Sequence, residues 1–263
     1  MPSSAVLSEP RVVEVRLGPV QREILRATER FVDVEGALRS AKTWTILIKI
    51  RRQLEEHPGM PSALARWTED ALHQRLIPAW RDICTLMSVT HGAWNARESC
   101  YDLPNGSRAY CTHLKTSQRD NRYTAIRGLK VAGFYLDQAE EVPQDVYEEA
   151  ALRISAPGFP QQMIISPNAV PEHHWIAKKW PENNRNSQHR YIRVSLWDNR
   201  HNLDAQTIEA AESLYPVGHP HRRTKIEGRR GREVSGTPVY LGAFDRARHR
   251  ASDPLPLNPQ LPL

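Results

Sequence analysis

Short apolar segments of strand length alternate with longer amphipathic segments along this chain of 263 residues. Residues 131–136 form a continuous apolar run, which is typical of a strand buried on both faces of a sheet. Residues 69–87 instead place apolar side chains on one face at helical spacing, and Pro78 inside that pattern predicts a kink. This alternation predicts an α/β fold with a mainly parallel sheet flanked by helices.

Composition excludes several other classes of protein. Hydrophobic residues make up 40% and charged residues 25% of the chain, as in ordinary globular proteins. No stretch approaches the ~18 uncharged apolar residues of a membrane span. The N-terminus lacks the apolar core of a secretory signal, and the three cysteines fit a reducing compartment better than a disulfide scaffold. We therefore expect a chain that is not secreted.

The positive charge is concentrated in one segment. The chain carries a net charge of +6, and residues 219–232 contain six Lys or Arg residues against one Glu. Such a segment fits contact with a polyanion, and a solvated linker fits equally well on charge alone. Residues 252–263 contain four prolines, which predicts an extended tail.

The segment from Gly36 to Thr43 follows a predicted strand and opens a predicted helix. It nearly matches the phosphate-loop pattern G-x-x-x-x-G-K-[ST], in which backbone N–H groups and the lysine hold phosphates and the hydroxyl holds Mg²⁺. Lys42 and Thr43 match the pattern, whereas Ala41 stands where the second glycine is expected. A chance Gly…Lys-Thr before a helix is the alternative interpretation.

An acidic group follows the buried strand at residues 131–136. Asp137 ends that strand, where a carboxylate of the same parallel sheet can reach the Mg²⁺ beside the phosphate loop. Gln138 comes next, at the position where a hydrolysing site commonly has glutamate. If a helix begins near Asp137, Glu140 and Glu141 lie on the same helix face as Asp137, and either could substitute for that glutamate. An exposed acidic helix start is the alternative interpretation.

Polar residues also follow the predicted strand at residues 162–166. Ser166 and Asn168 end that strand, where a polar side chain can sense the terminal phosphate. The alternative interpretation is that these polar residues only end the strand and begin a loop. Along the chain, Asn105-Gly106 lies between the phosphate loop and these two strands. It separates two runs of alternating polar and apolar residues and predicts a β-hairpin whose two central residues adopt positive φ.

In this order, these motifs resemble the large terminase subunit of tailed bacteriophages, over residues 21–245. The resemblance implies a RecA-like phosphate-loop ATPase domain at residues 1–215, followed by a basic connector and proline-rich tail at residues 216–263. It also implies a site that binds ATP and Mg²⁺. The nucleotide-binding residues would be Gly36, Ser40, Ala41, Lys42, Thr43, Ser166 and Asn168, the metal residues Thr43 and Asp137, and the catalytic residues Arg39, Gln138, Glu140 and Glu141.

The function implied by the resemblance is ATP-driven packaging of double-stranded viral DNA into a procapsid. The implied partners are double-stranded DNA, the portal, the small terminase subunit and further copies of the chain in a ring, in the host cytoplasm and without a membrane. Family members usually continue into a nuclease domain, which is not expected in this sequence. A helicase-like DNA translocase and a nucleotide- or DNA-binding assembly protein that does not hydrolyse ATP remain alternatives.

Overall fold

The computed structural model describes residues 16–115, 126–184 and 186–231. The strands are β1 (Phe31–Gly36), β2 (Pro61–Arg66), β3 (Ala93–Asn95), β4 (Cys100–Asp102), β5 (Arg108–His113), β6 (Gly133–Asp137), β7 (Gln162–Ser166) and β8 (His189–Val194). The helices are α1 (Pro19–Arg26), α2 (Lys42–Glu56), α3 (Glu69–Ala71), α4 (Ile77–Leu86), α5 (Gln144–Leu152), α6 (Trp175–Lys179), α7 (Ala205–Leu214) and α8 (Arg222–Lys225). Within these ranges, no helix has the length and apolar character needed to cross a bilayer.

The eight strands form one sheet in the order β3-β4-β5-β2-β6-β7-β1-β8. All neighbouring pairs from β5 to β8 in that order are parallel, and β3 and β4 extend one edge as an antiparallel ribbon. The predicted α/β fold with a mainly parallel sheet is therefore confirmed. The order also brings the C-terminal ends of β1, β7 and β6 side by side.

Apolar clusters cover both faces of the sheet. On one face, α2 contributes Ile46, Leu47, Ile50 and Leu54 to a core shared with α4. On the other face, α5 contributes Val146, Tyr147 and Ala150. Because both faces are covered, every residue of β6 and β7 is buried, as the apolar run at residues 131–136 predicts for β6.

The helix predicted at residues 69–87 is not uniform. It begins as α3, passes through a π-helical turn at Leu72–Leu76 and continues as α4. Pro78 lacks an N–H, and its ring would collide with the carbonyl group four residues earlier, which lies within the π-helical turn. The wider turn accommodates this proline, so the predicted kink takes the form of a π-helical turn.

The predicted hairpin is formed by β4 and β5, but its turn differs from the one predicted. Gly106 has a φ of +81°, whereas Asn105 is absent from the described residues with positive φ. The connecting loop is longer than two residues, and Asn105 uses its side chain instead. Its Nδ2 donates to the carbonyl oxygen of Leu54 at 2.7 Å, and its Oδ1 accepts from the N–H of Ser107. The hairpin is thereby tied to the end of α2.

One compact unit extends through Gly231, beyond the domain boundary predicted at residue 215. The difference arises because residues after 215 return to the sheet. Ile226 is buried with Leu196 and Ala37, and its carbonyl oxygen accepts from the N–H of Leu196 at 2.9 Å. Arg230 is also buried. The predicted proline-rich tail lies outside the described residues.

Candidate nucleotide-binding site

The phosphate-loop segment connects β1 directly to α2. Arg39 and Ala41 have φ values of +56° and +63°, so the chain turns sharply before α2 begins at Lys42. Ala41 therefore adopts the left-handed conformation for which glycine is preferred, at a cost of about 1–2 kcal/mol. The loop forms despite this departure from the motif, because alanine carries the smallest side chain that a non-glycine residue can have.

Gly36 is required at the end of β1 by packing against β8. A Cβ at this position would lie 1.9 Å from the carbonyl oxygen of Val194. Gly228, which has a φ of +62°, approaches the same oxygen, and its Cβ would lie 2.2 Å away. Two glycines thus allow three segments of backbone to meet at the start of the phosphate loop.

Lys42 folds back onto the loop. Its Nζ donates to the carbonyl oxygens of Gly36 at 2.9 Å and Ala37 at 2.7 Å, and Ser40 Oγ donates to the same Ala37 oxygen. Burial lowers the pKa of Lys42 to about 8, although the negative charges of Glu140 and Asp137 oppose this shift. The lysine lies where an incoming phosphate could take over its hydrogen bonds.

Asp137 joins the phosphate loop to the two neighbouring strands. Its Oδ1 accepts hydrogen bonds from Thr43 Oγ1 at 3.0 Å, Tyr135 Oη at 2.8 Å and Ser166 Oγ at 2.8 Å. Its Oδ2 accepts from Arg66 Nη1 at 3.0 Å. The structure thus brings together Thr43, Asp137 and Ser166, three residues that the sequence placed in one site.

The hydroxyl and carboxylate oxygens of Thr43 and Asp137 are the hard ligands that Mg²⁺ prefers. They lie within hydrogen-bonding distance of each other at the mouth of a cavity of about 390 Å³, which the phosphate loop, Asp137, Gln138, Ser166 and Asn168 help to line. The donor set therefore fits a magnesium ion shared between the loop and the acid.

The acidic residues after Asp137 do not form the predicted helix. Gln138 has a φ of +51°, so the extended backbone of β6 ends there, and a 3₁₀ turn follows at Ala139–Glu141. Glu141 is consequently exposed, whereas Glu140 is half-buried behind Asn168. Asn168 donates to both carboxylate oxygens of Glu140, from its side chain at 2.7 Å and from its backbone at 3.1 Å. The shared helix face expected for Asp137, Glu140 and Glu141 is therefore wrong.

The electrostatic environment also separates the two glutamates. Burial raises the pKa of Glu140, against the hydrogen bonds from Asn168 and the charge of Lys42, which lower it. Gln138 differs from both, because it lines the cavity directly and its N–H donates to the carbonyl oxygen of Ser166 at 3.1 Å. Gln138 thus contributes to the cavity wall, whereas Glu140 is held behind Asn168, which also lines the cavity.

Three arginines line the same cavity. Arg39 is exposed on the loop, and its carbonyl oxygen accepts from Asn199 Nδ2 at 2.8 Å. Arg75 is exposed on the π-helical turn, and Arg66 is buried at the end of β2. Neither Arg66 nor Arg75 was placed in the site by the sequence motifs. The rule that parallel strands end at one sheet edge could have indicated Arg66, whereas nothing in the sequence pointed to Arg75.

A second cavity, of about 670 Å³, adjoins the phosphate loop on its other side. Trp44 and Ile48 of α2, Leu203 and Gln21 contribute to its lining. Gln21 is buried and donates from Nε2 to the carbonyl oxygen of Asp198 at 3.0 Å, while its Oε1 has no hydrogen-bond partner among the described residues. The cavity thus combines apolar side chains with polar ones, among them Asn199, Asn202 and Asp204, beside the phosphate loop. Sequence reasoning missed it.

The basic segment packs internally where the structure describes it. Arg222 donates from Nη2 to Glu212 Oε1 at 2.9 Å and from Nη1 to the carbonyl oxygen of Tyr215 at 2.7 Å. Arg223 Nε donates to the carbonyl oxygen of Arg230 at 2.7 Å. A free solvated linker is therefore wrong for residues 222–230, because several of these side chains have partners within the same compact unit.

The fold is similar to those of three phage large terminases of known structure. The large terminase of a thermophilic bacteriophage matches with a TM-score of 0.68 and 15% identity, over 81% of this chain and 53% of that one. The bacteriophage HK97 large terminase matches with a TM-score of 0.58 and 13% identity, over 82% and 51%. The ATPase domain of the Thermus phage P74-26 large terminase matches with a TM-score of 0.54 and 17% identity, over 80% and 92%.

These likenesses establish the RecA-like ATPase-domain fold. This chain spans about half the length of the first two of these proteins. No curated protein sequence matches it. The family description "Phage terminase large subunit" matches residues 36–229, which begin at the phosphate loop and end within the segment that packs against it. Because this match covers well over half of the chain, the protein belongs to the phage terminase large-subunit family.

Proposed function

We propose that this chain binds ATP with Mg²⁺ at the phosphate loop and hydrolyses it to drive the packaging of double-stranded viral DNA. The observation that carries the proposal is the hydrogen bond of 3.0 Å between Thr43 and Asp137, which unites the loop and the acid across the intervening strand β7. Among the relatives, the large terminase of the thermophilic bacteriophage has been solved in complex with ADP and with ATP-γ-S. A nucleotide site in this chain is therefore consistent with the family.

Each residue of the site then has a defined task. The N–H groups of residues 38–42 and the Lys42 ammonium group, which now donates to the carbonyl oxygens of its own loop, would hold the phosphates. Thr43 and Asp137 would hold the magnesium ion, which supplies charge neutralisation on the phosphate oxygens. At the end of the strand between loop and acid, Ser166 donates to Asp137 and Asn168 donates to Glu140, so these two residues would link the phosphates to the two acids.

The hydrolytic step requires a group that orients or deprotonates water. Gln138 faces the cavity and can orient a water molecule, but an amide cannot accept its proton near neutral pH. Glu140 is the half-buried carboxylate beside it, and its raised pKa favours proton acceptance. We assign the catalytic role to Glu140 rather than to the exposed Glu141, with Arg39 as a further cation at the phosphates.

The proposal extends to the wider setting of the motor. The nucleotide cycle would act on double-stranded DNA, with the portal and the small terminase subunit as partners and a ring of copies of this chain around the DNA, in the host cytoplasm. The family match makes a helicase-like translocase of another kind the weaker interpretation.

A nucleotide-binding assembly protein that does not hydrolyse ATP is the second candidate function. Both carboxylate oxygens of Glu140 accept hydrogen bonds from Asn168, and Gln138 occupies the position next to the metal-binding acid. If Asn168 keeps Glu140 in place when nucleotide binds, no carboxylate reaches the water.

Steady-state phosphate release, with and without double-stranded DNA, tests the proposal. We expect DNA-stimulated turnover in the wild type, its loss in Glu140→Gln, and higher turnover in Gln138→Glu, which restores a carboxylate beside Asp137. Glu141→Gln is the matched control, because it removes the same charge from an exposed position. Nucleotide binding without turnover in the wild type and in Gln138→Glu would favour the assembly protein.

A further inference from the structure

Arg66 forms a buried ion pair with the residue that the proposed function assigns to the metal. We infer that Arg66, which pairs with Asp137, is a phosphate-binding residue that would contact the terminal phosphate of a bound nucleoside triphosphate. This inference rests on the proposed function, because it concerns the same site. It assigns to Arg66 the discrimination between nucleoside triphosphate and diphosphate.

The position of Arg66 follows from the strand order. β2 pairs with β6 in parallel, with Ala65 opposite Leu136, so the residues that end these two strands lie side by side. Arg66 is 5% exposed and Asp137 is 7% exposed, and their side chains meet at 3.0 Å. Both residues line the cavity formed by the phosphate loop. Arg66 is thus within the site and not on its rim.

The hydrogen bonds of the pair are unevenly satisfied. Asp137 Oδ1 accepts from three hydroxyl groups, and Oδ2 accepts from Arg66. On the arginine side, Nε is buried and has no partner among the residues that the structure describes. A guanidinium group carries five N–H donors and cannot lose its charge in a protein. This arrangement therefore leaves Arg66 with buried donor capacity that a second anion could satisfy.

A magnesium ion held by Asp137 would change the partner that Arg66 prefers. The ion would bring two further positive charges to the carboxylate that now neutralises the guanidinium, and the two cations repel each other. A phosphate group of the nucleotide is the anion that enters the same cavity. Its tetrahedral oxygens match the planar fork of arginine, which binds phosphate through two parallel hydrogen bonds.

The other cations of the cavity are placed for different tasks. Lys42 is held by carbonyl oxygens of the phosphate loop itself. Arg75 is exposed on the π-helical turn, and no contact between it and Asp137 is present in the described structure. Among these residues, Arg66 alone is paired with the metal-binding acid, so metal binding acts on Arg66 first.

Calorimetric titration of ATP-γ-S and ADP, each with Mg²⁺, into the wild type and Arg66→Gln tests this inference. A charge-assisted hydrogen bond contributes enough that we expect Arg66→Gln to weaken ATP-γ-S binding by about 10- to 100-fold. ADP binding should change by less than about 3-fold, because ADP lacks the terminal phosphate. Arg66→Lys should recover part of the loss. Arg52→Gln is the control, since it removes an exposed arginine from the far end of α2.

Equal losses for the two nucleotides, or no loss for ATP-γ-S, would overturn the inference. Failure of the wild type to bind either nucleotide would refute the proposed function instead. NMR of the arginine Nε–H groups gives a second measurement that needs only the folded wild type, with Arg66→Lys for assignment. The Arg66 resonance should shift to a different position with ATP-γ-S and Mg²⁺ than with ADP and Mg²⁺, because only the former carries a terminal phosphate, and an identical response to both would also overturn the inference.

Discussion

Replacement of Arg230 by methionine should destabilise the fold far more than its place in a charged segment suggests. Arg230 Nε donates to Glu35 Oε2 at 2.7 Å, and Nη2 donates to Asp33 Oδ2 at 3.3 Å. Both acids are buried on β1, the strand that leads into the phosphate loop. Arg230→Met leaves these two carboxylates next to each other without a cation.

This geometry sets the expected loss in the free energy of unfolding. Removal of one partner from a buried ion pair costs about 3–5 kcal/mol, which corresponds to a fall in Tm of roughly 6–20 °C for a domain of this size. Arg229→Met is the matched control. Arg229 is exposed and lies 3.8 Å from the exposed Glu227, a pair that contributes about 0–1 kcal/mol.

The pH dependence identifies the source of the loss. Burial already raises the pKa of Asp33 and of Glu35 above their ordinary values, and Arg230 opposes both shifts. Without Arg230 the two pKa values rise further, so the folded state binds protons more readily than the unfolded state. The free energy of unfolding then increases as pH falls through the folded-state pKa values, and the deficit of the variant shrinks.

Urea unfolding followed by circular dichroism at pH 7.5 and pH 5.5 measures these effects. We expect a large deficit for Arg230→Met at pH 7.5 that becomes smaller at pH 5.5, and a small deficit for Arg229→Met at both. Equal losses in the two variants would refute the buried network. A deficit of Arg230→Met that grows as pH falls would show that Asp33 and Glu35 are not its source.

Two further predictions concern the phosphate loop. The affinity for ATP-γ-S should fall as pH rises through about 8, because Lys42 loses its proton there. Calorimetry in buffers of different ionisation enthalpy should detect proton uptake on binding above that pH. Lys42→Arg, which keeps its charge, should abolish this dependence. Gly36→Ala should lower the free energy of unfolding by about 1–3 kcal/mol, since its Cβ would collide with Val194. In urea unfolding, Gly231→Ala should have little effect, because its closest contact is 3.4 Å.

Local sequence patterns predicted much of the sheet and the phosphate loop. The strand ends at Asp137 and Ser166 could be placed together because parallel strands end at one edge of a sheet. The same rule did not reveal which charged residue pairs with Asp137. That partner is Arg66, and the pairing depends on β2 lying next to β6, which is set by packing of the whole sheet.

Long-range contacts account for the predictions that differ from the structure. Arg230 lies in a charge-rich segment that resembles a solvated surface. Its burial depends on acids on β1, and Asp33, one of them, lies 197 positions earlier in the sequence. Gln138 likewise adopts a left-handed conformation that residue type does not predict, and this single residue separates Glu140 and Glu141 from the face of Asp137. The catalytic assignments of Gln138, Glu140 and Glu141 stay predictions.

We claim that the phosphate loop of this chain binds ATP. Calorimetric titration of ATP-γ-S with Mg²⁺ into the wild type and Lys42→Ala tests it most directly. We predict one bound nucleotide per chain in the wild type and a loss of about 1.5–3 kcal/mol of binding free energy in the variant, because a charge-assisted contact with the phosphates is removed. Equal affinity of the two proteins for the nucleotide would contradict the claim.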